Sequence, residues 1–600
     1  MPRNRRPGTK VPRDTWTSAS SRKPPSSVKV PALPPAVLAR MAALRRRAYQ
    51  AAALAGFAYA ALVLIMWGAF NPHSGFPYET SLPYMSETTS ALKGFLCLND
   101  SLRIQMNTFY QLPYLIGEAM GIQGSYVPYQ VVYALLWWAR GFLVFLILRK
   151  FLPGSLSVCY AAGALVVLHA SDGALGWVGQ MNQFGVIFWM VLAFYLLTLG
   201  ADSANWALAS LYVIAAGLCE YMSLWSYESP LLLLLVLPLC LLFRWRSWRK
   251  LAFIYGAWYS IPAIYIRLTT LRYVNSAGHT YQQSVLRTGW SWQSLLGDWF
   301  FNIRASLEFW NWPRGSWKAP KSEAYLLATI AALVFIACGL AFIRLTQENR
   351  RPNPLVERMR TWCALLGVGF ILVALSFPVY LLLDSARGLW RTQFLSGIGA
   401  SLVLAALAGL TSHAFVRQTA KIALFLAFGA LIAFFGSASA IQKCALHRWV
   451  WERHRIAIKE ILQVAPGVQP GTVIVLTNVP KDNDPFGHQM WLDFALRLVY
   501  PGIPVAGVYF YADGTPGPGD AWKAGGNSWT RDGAGYPQFF PGTSLANTVV
   551  VHYEPSGQGK LEAALPAFVC ATPCATELYH PGSVITGPIS PIASRRYRLD

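Results

Sequence analysis

Val127-Pro-Tyr-Gln-Val-Val-Tyr-Ala-Leu-Leu-Trp-Trp-Ala-Arg140-Gly-Phe-Leu-Val-Phe-Leu-Ile-Leu148 runs directly into Arg149-Lys150. The run has the roughly 17–25 mostly apolar residues that a helix needs to cross a hydrocarbon core. Peptide groups in lipid have no water to bond, so the segment reads as an α-helix. The closing Arg-Lys pair marks its cytoplasmic end, because Lys and Arg gather on that side. Arg140 breaks the apolar pattern. A guanidinium there needs an outer-loop carboxylate, a lipid phosphate or a structural ion pair.

Ten further apolar runs centre on 51–70, 154–170, 183–200, 206–219, 229–243, 251–266, 324–343, 362–383, 393–411 and 421–440, with those at 206 and 229 short. Of the 600 residues, 54% are hydrophobic and 13% charged, against about 25% charged in soluble domains. A string of soluble domains is thereby excluded. The expected fold is an α-helical polytopic membrane protein with about 11 transmembrane helices and a small C-terminal α/β extracytoplasmic domain. Its parts are a basic, unstructured cytoplasmic tail (1–50), a transmembrane domain (51–440) with outer loops 71–108 and 268–322, and the outer domain (441–600).

Charge orients the chain. Residues 1–50 carry twelve Lys and Arg against the single acid Asp14, which places the N-terminus in the cytoplasm. The tail is no secretory signal, since its basic region is too long and no small-residue cleavage site follows the first apolar run. Its composition suits a solvated segment touching anionic lipid, and nucleic acid is not an expected partner. Alternation then puts Arg149-Lys150, Arg244 to Lys250, Arg344 to Arg360 and Arg417 to Lys421 inside. Of 50 basic residues, 25 fall inside, 13 in the outer domain and 12 at or near the outer face. Most of the net +23 is therefore topology. The expected location is the inner (cytoplasmic) membrane, multi-pass, with the C-terminal domain outside. Loop 268–322 is outside yet basic, and its length approaches the roughly 60 residues at which the rule loses force. Its six tryptophans from Trp290 to Trp317 predict one or two helices lying at the membrane interface.

After 440 the sequence turns polar, with a helix-like stretch (449–462), strands near 472–476, 504–510 and 548–553, and a helix over 489–499. That alternation predicts a small α/β domain. Cys570-Ala-Thr-Pro-Cys574 can close a short disulfide, as an oxidising compartment permits.

Polar groups collect on the outer side. Glu79, Glu87 and Asp100 follow the first span; His169 and Asp172 end the third; Trp177, Gln180, Asn182 and Gln183 open the fourth; Glu220 and Glu228 join the fifth and sixth; Arg387, Arg391 and Gln393 join the ninth and tenth. Each has a bland reading. The acids can be solvated loop residues, His169 and Asp172 can cap a helix, and Arg387 and Arg391 can be snorkelling anchors. Together they point to an outward-opening polar cavity.

The run Ser86-Glu87-Thr-Thr-Ser-Ala-Leu-Lys-Gly94, then Phe109-Tyr-Gln-Leu-Pro113-Tyr-Leu-Ile-Gly117, then Trp138-Ala-Arg140-Gly resembles the GT-C superfamily of integral-membrane glycosyltransferases. Those enzymes carry a catalytic acid in the long outer loop after the first span, then a Pro-containing stretch and a second span with an early Arg. Residue-level likeness covers about 79–142; the rest is architectural. Glu87 falls at the acid's place, with Ser86 where the family has Asp. No Asp-x-Asp occurs in this loop, so Glu87, Glu79 and Asp100 all stay open, no cofactor is expected, and a divalent metal lacks its usual motif.

The resemblance implies inverting transfer of a sugar from a polyprenyl-phosphate-linked donor to a glycan, lipid or protein acceptor. Glu87 would be the general base. Arg387, Arg391 and Arg140 would bind the donor phosphate, and Asp172, His169, Gln180, Asn182, Gln183, Trp177 and Gln393 the sugar or acceptor. Membrane lipid is a further expected partner. The alternatives are a lipid-linked saccharide transporter or flippase, an O-antigen-type polymerase or ligase, and a non-catalytic envelope scaffold. No clear internal repeat and no midplane polar site speak for transport.

Overall fold

A computed structural model describes residues 35–68, 108–275 (Arg246 apart), 287, 289, 291–347, 355–382, 392–519, 522–530 and 543–599. Glu79, Glu87, Asp100, Arg387 and Arg391 lie outside the described residues. Residues 1–50 form one unit and 51–600 a second; the second contains the helical bundle and the C-terminal sheets.

The helices are α1 (Pro35–Gly68), α2 (Thr108–Ala119), α3 (Val127–Phe151), α4 (Leu156–Leu168), α5 (Met181–Asp202), α6 (Trp206–Leu224), α7 (Leu231–Val236), α8 (Trp248–Asn275), α9 (Trp292–Leu307), α10 (Lys321–Gln347), α11 (Leu355–Leu375), α12 (Ser396–Ser412) and α13 (Gln418–Val464). Among the described residues, eight are long and apolar enough to cross a membrane: α1, α3, α5, α6, α8, α10, α11 and α13. The other three apolar runs form shorter helices, α4, α7 with its extension, and α12. In α7 the cause is local. Pro238 cannot donate to the helical ladder, and the chain continues as a 3-10 helix over Leu237–Phe243.

These helices are apolar on every side. Tyr59, Trp137, Leu165 and Phe335 are buried between them, while Phe57, Leu135, Leu211, Ile214, Leu326 and Leu333 are exposed. A helix without a polar stripe needs an apolar environment on its outer face too, which a bilayer supplies. Inside, the polar tips of aromatic residues donate to helical carbonyls. Tyr59 Oη bonds Tyr160 O at 2.8 Å, Trp138 Nε1 bonds Gly56 O at 2.9 Å, and Trp137 Nε1 bonds Val167 O at 2.8 Å.

The bundle has two chemically different ends. At one, Asp202 pairs with Lys150 at 2.6 Å and Arg244 at 3.5 Å, and Lys250 donates to Ser203 O. This is the basic end. At the other lie the α4–α5 loop, α2, α9 and the C-terminal domain. Within the Trp-rich loop, α9 leaves Trp292, Leu296, Phe300 and Phe301 exposed, while Trp299 Nε1 anchors it to Ala374 O at 2.9 Å.

Helix α13 is 47 residues long, roughly 70 Å at 1.5 Å per residue. That is more than twice the hydrocarbon thickness of about 30 Å. It passes position 440, the domain boundary read from the sequence, without a break. Its far end joins β1 (Gly467–Val468), β2 (Thr472–Val479), α14 (Gln489–Val499), β3 (Val505–Tyr511), β4 (Lys523–Gly526), β5 (Ser528–Thr530), β6 (Thr543–Ser544), β7 (Thr548–His552), β8 (Lys560–Leu561), β9 (Cys570–Cys574), β10 (Ile585–Thr586) and α15 (Pro591–Tyr597). The main sheet has the order β3-β2-β7-β8, with β2 parallel to both neighbours. Central β2 is covered on both faces, which explains its Val-Ile-Val-Leu run. Ile458 and Ile461 of α13 and Leu492 and Leu496 of α14 pack on one face. Trp522 and Trp529, which accompany the second sheet β6-β5-β4-β9, pack on the other. Cys570 and Cys574 are joined in a disulfide. Finally, α15 docks back on the bundle: Arg595 Nη1 donates to Gly121 O at 3.0 Å, and the Arg596 guanidinium lies 3.9 Å from the Tyr126 ring centroid.

Candidate functional site

Helix α4 ends at Leu168, and the loop 169–177 beyond it is wedged between α3, α9, α12 and α13. Two glycines permit this. A Cβ on Gly436 of α13 would sit 2.3 Å from Leu168 O, and one on Gly397 of α12 would sit 2.9 Å from His169 Nδ1. Both backbones press against the end of α4, and that close approach buries the loop's polar side chains.

The carbonyls at the C-terminal end of α4 carry partial negative charge, and cations gather there. Lys443 Nζ donates to Ala170 O. Arg140 Nη2 reaches Val167 O at 3.5 Å, and its guanidinium lies 4.6 Å from the Phe184 ring centroid, a cation–π contact. Arg140 Nε has no hydrogen-bond partner among the described residues. The partners that the described residues supply to this guanidinium are thus a helix carbonyl and a ring, with Asp172 close enough to act electrostatically.

Asp172 Oδ1 accepts from Ala174 N–H at 2.8 Å, closing an Asx turn. Its Oδ2 is buried without a partner among the described residues. Burial pushes the carboxyl above the ordinary carboxylate range, and Lys443, Arg140 and the main chain at Ala174 and Gln393 oppose that push. Asp172 is therefore a buried acid whose charge depends on two buried cations.

A second group adjoins it. His169 Nε2 lies 3.2 Å from Ser306 O and 3.2 Å from Ser171 Oγ. Ser306 of α9 donates to Gln393 Oε1 or shares its proton with Ser396 Oγ at 2.8 Å. Gln393 Nε2 donates to Asn302 Oδ1 at 2.8 Å. The Trp-rich loop is thus pinned to the bundle end by hydrogen bonds between buried polar side chains.

Arg140, the loop pair His169 and Asp172, and Gln393 are therefore one cluster. Gln180, Asn182 and Gln183 are buried at the start of α5; Asn182 Oδ1 accepts from Gln183 N–H at 2.8 Å, and Gln180 Oε1 has no partner among the described residues. Trp177 stacks near His447, with ring centroids 6.2 Å apart. Sequence reading missed Lys443, Ser306, Ser396 and Tyr133, whose hydroxyl accepts from Gly176 N–H at 3.0 Å. Lys443 had one signal: it follows the small-residue stretch Gly436-Ser-Ala-Ser-Ala440, the composition of a closely packed helix face. Among the described residues no three His, Cys, Asp or Glu side chains gather as a metal site.

Described residues that close α1, open α2 and follow α11 make contacts at this end. Trp67, at the close of α1, stacks on Tyr133 with centroids 4.9 Å apart. Tyr110 of α2 donates to Gly179 O at 2.8 Å. Beyond α11, Leu382 O accepts from Arg287 N–H at 3.0 Å, and Gln393 lies in the cluster itself.

No protein-family model matches the chain, and no curated protein matches it.

Proposed function

We propose that the chain is an inverting membrane glycosyltransferase, taking a sugar from a polyprenyl-phosphate-linked donor on the outer face of the membrane. One observation carries the reading. At one end of the bundle the buried carboxyl of Asp172 keeps one oxygen without a partner among the described residues, within electrostatic reach of Lys443 and Arg140. The cluster supports a fixed hydrogen-bond acceptor in Asp172, to which the reading adds Glu87 as base and Arg387 with Arg391 as the anion-binding pair. The disulfide between Cys570 and Cys574 supports an oxidising, outer location for the domain at this end.

In the reaction, the acceptor hydroxyl gives its proton to Glu87 as its oxygen forms the bond to the anomeric carbon. The bond from that carbon to the phosphate oxygen breaks, and Arg387 and Arg391 stabilise the departing polyprenyl phosphate. Asp172, whose charge Lys443 and Arg140 favour against burial, accepts a sugar hydroxyl and fixes the ring for attack. A saccharide transporter fits less well, because its polar groups belong near the midplane. Even Glu220, buried with neither oxygen partnered among the described residues, lies just over one turn from the end of α6.

The test is the full chain in liposomes with polyprenyl-phosphate-linked hexoses and pentoses, reading release of polyprenyl phosphate. Glu87→Gln should lower kcat by about two to four orders of magnitude, the range for a lost general base, and leave donor binding intact. Asp172→Asn should instead raise KM for the sugar-bearing donor without changing inhibition by sugar-free polyprenyl phosphate. Full turnover in Glu87→Gln would overturn the assignment of the base, and no release from any donor by the wild type would overturn the reading.

A further inference from the structure

Near the basic end, a cavity of about 350 Å³ opens between α3, α5, α7, α11 and α12, at the small end of the size range for ligand sites. Its walls are hydrocarbon, among them Leu148, Phe194, Leu237, Val368 and Leu402, and its charged lining residues are Arg244 and Arg360. Along α11 it runs from Arg360 to Leu372, roughly 18 Å at the helical rise. That length is close to one leaflet, half of a hydrocarbon core of about 30 Å. Arg360 is exposed and makes no ion pair among the described residues. Arg244 is held at 3.5 Å by Asp202, which is already bound by Lys150 at 2.6 Å.

We propose that this slot binds one acyl chain of an anionic glycerophospholipid, with the headgroup phosphate between Arg244 and Arg360. An apolar hollow that extends about one leaflet along α11, with guanidinium groups at the basic end, matches that lipid in both charge and length. Guanidinium presents a planar fork of donors suited to phosphate oxygens. The two guanidinium groups lie at the opposite end of the bundle from Asp172, while the far wall of the hollow reaches Leu395 beside the cluster, and the proposal stands whether or not the chain transfers sugar.

Native mass spectrometry of the delipidated full chain tests this, with dioleoyl phosphatidylglycerol and dioleoyl phosphatidylcholine as probes. The wild type should retain one phosphatidylglycerol and prefer it about tenfold, the scale of a charge-assisted hydrogen bond. Arg244→Gln with Arg360→Gln, both at exposed positions, should erase the preference and leave weak binding of either lipid. Val368→Trp, which fills the slot, should weaken both lipids; Ala364→Phe is the substitute should that variant fail to fold. Equal binding of the two lipids by the wild type, or a preference unmoved by the arginine changes, would overturn the proposal. Displacement of phosphatidylglycerol by polyprenyl phosphate in the wild type, lost in the double arginine variant, would also overturn it and give the slot to the donor.

Discussion

The two ends of the bundle carry charge in opposite ways. At the basic end, Lys150, Arg244 and Asp202 remain partly exposed, and their ion pairs are screened by solvent and salt. At the other end, Arg140, Asp172 and Lys443 are buried, where an unpaired charge is costly. Exposed cations orient a membrane protein without being held in any exact place. Buried ones persist only if each compensates another, so the contrast separates charge that marks topology from charge that builds a site.

Lys443→Met tests this contrast most severely. It leaves Asp172 without its principal counter-charge and should destabilise the protein by about 3–5 kcal/mol, the cost of breaking a buried pair, read by denaturant unfolding in detergent. Adding Asp172→Asn should restore at least half of that loss. If the single variant is as stable as wild type, the buried cluster is no tighter than the exposed end.

A smaller effect is expected from pH. Asp172 has its carboxyl raised by burial, so the folded chain holds that proton more tightly than the unfolded one. Its contribution to stability is full below the ordinary carboxylate value of about 3.9 and is lost as pH rises through the raised folded value. The slope for one proton is at most about 1.4 kcal/mol per pH unit. Melting temperatures of wild type and Asp172→Asn across that window should diverge with this sign; parallel curves would show that Asp172 does not ionise there. Least of all should come from Lys150→Gln, under about 1 kcal/mol, in the same unfolding assay. A larger loss would mean that the basic end also depends on its ion pairs.

The sequence made the apolar runs legible because length and composition alone define them. Whether each becomes a full-length helix was less so. Pro238 shortens α7 through its missing donor, and α4 ends early so that loop 169–177 can turn in among its neighbours. His169, Asp172 and Gln393 were legible as outer-side polar residues, but their convergence depends on Gly436 and Gly397, whose meaning is a contact between distant helices. Lys443 was hidden for another reason. It lies just past the last apolar run, where hydropathy predicts solvent, and only the continuation of α13 carries it into the bundle end. Ser306 likewise reads as an ordinary residue in a Trp-rich loop until α9 is seen anchored on α11 and α12.

That continuous α13 makes the domain's orientation a matter of helical phase. Each residue added between the cluster and the sheet, for example one alanine after Arg448, turns everything beyond it by about 100° and advances it by about 1.5 Å. A hinge would absorb the insertion. Here it would swing α15 off its seat on Gly121 and Tyr126, while adding four residues would nearly restore the original facing. The distance and direction of the domain from the membrane are thus counted out in residues along one rod.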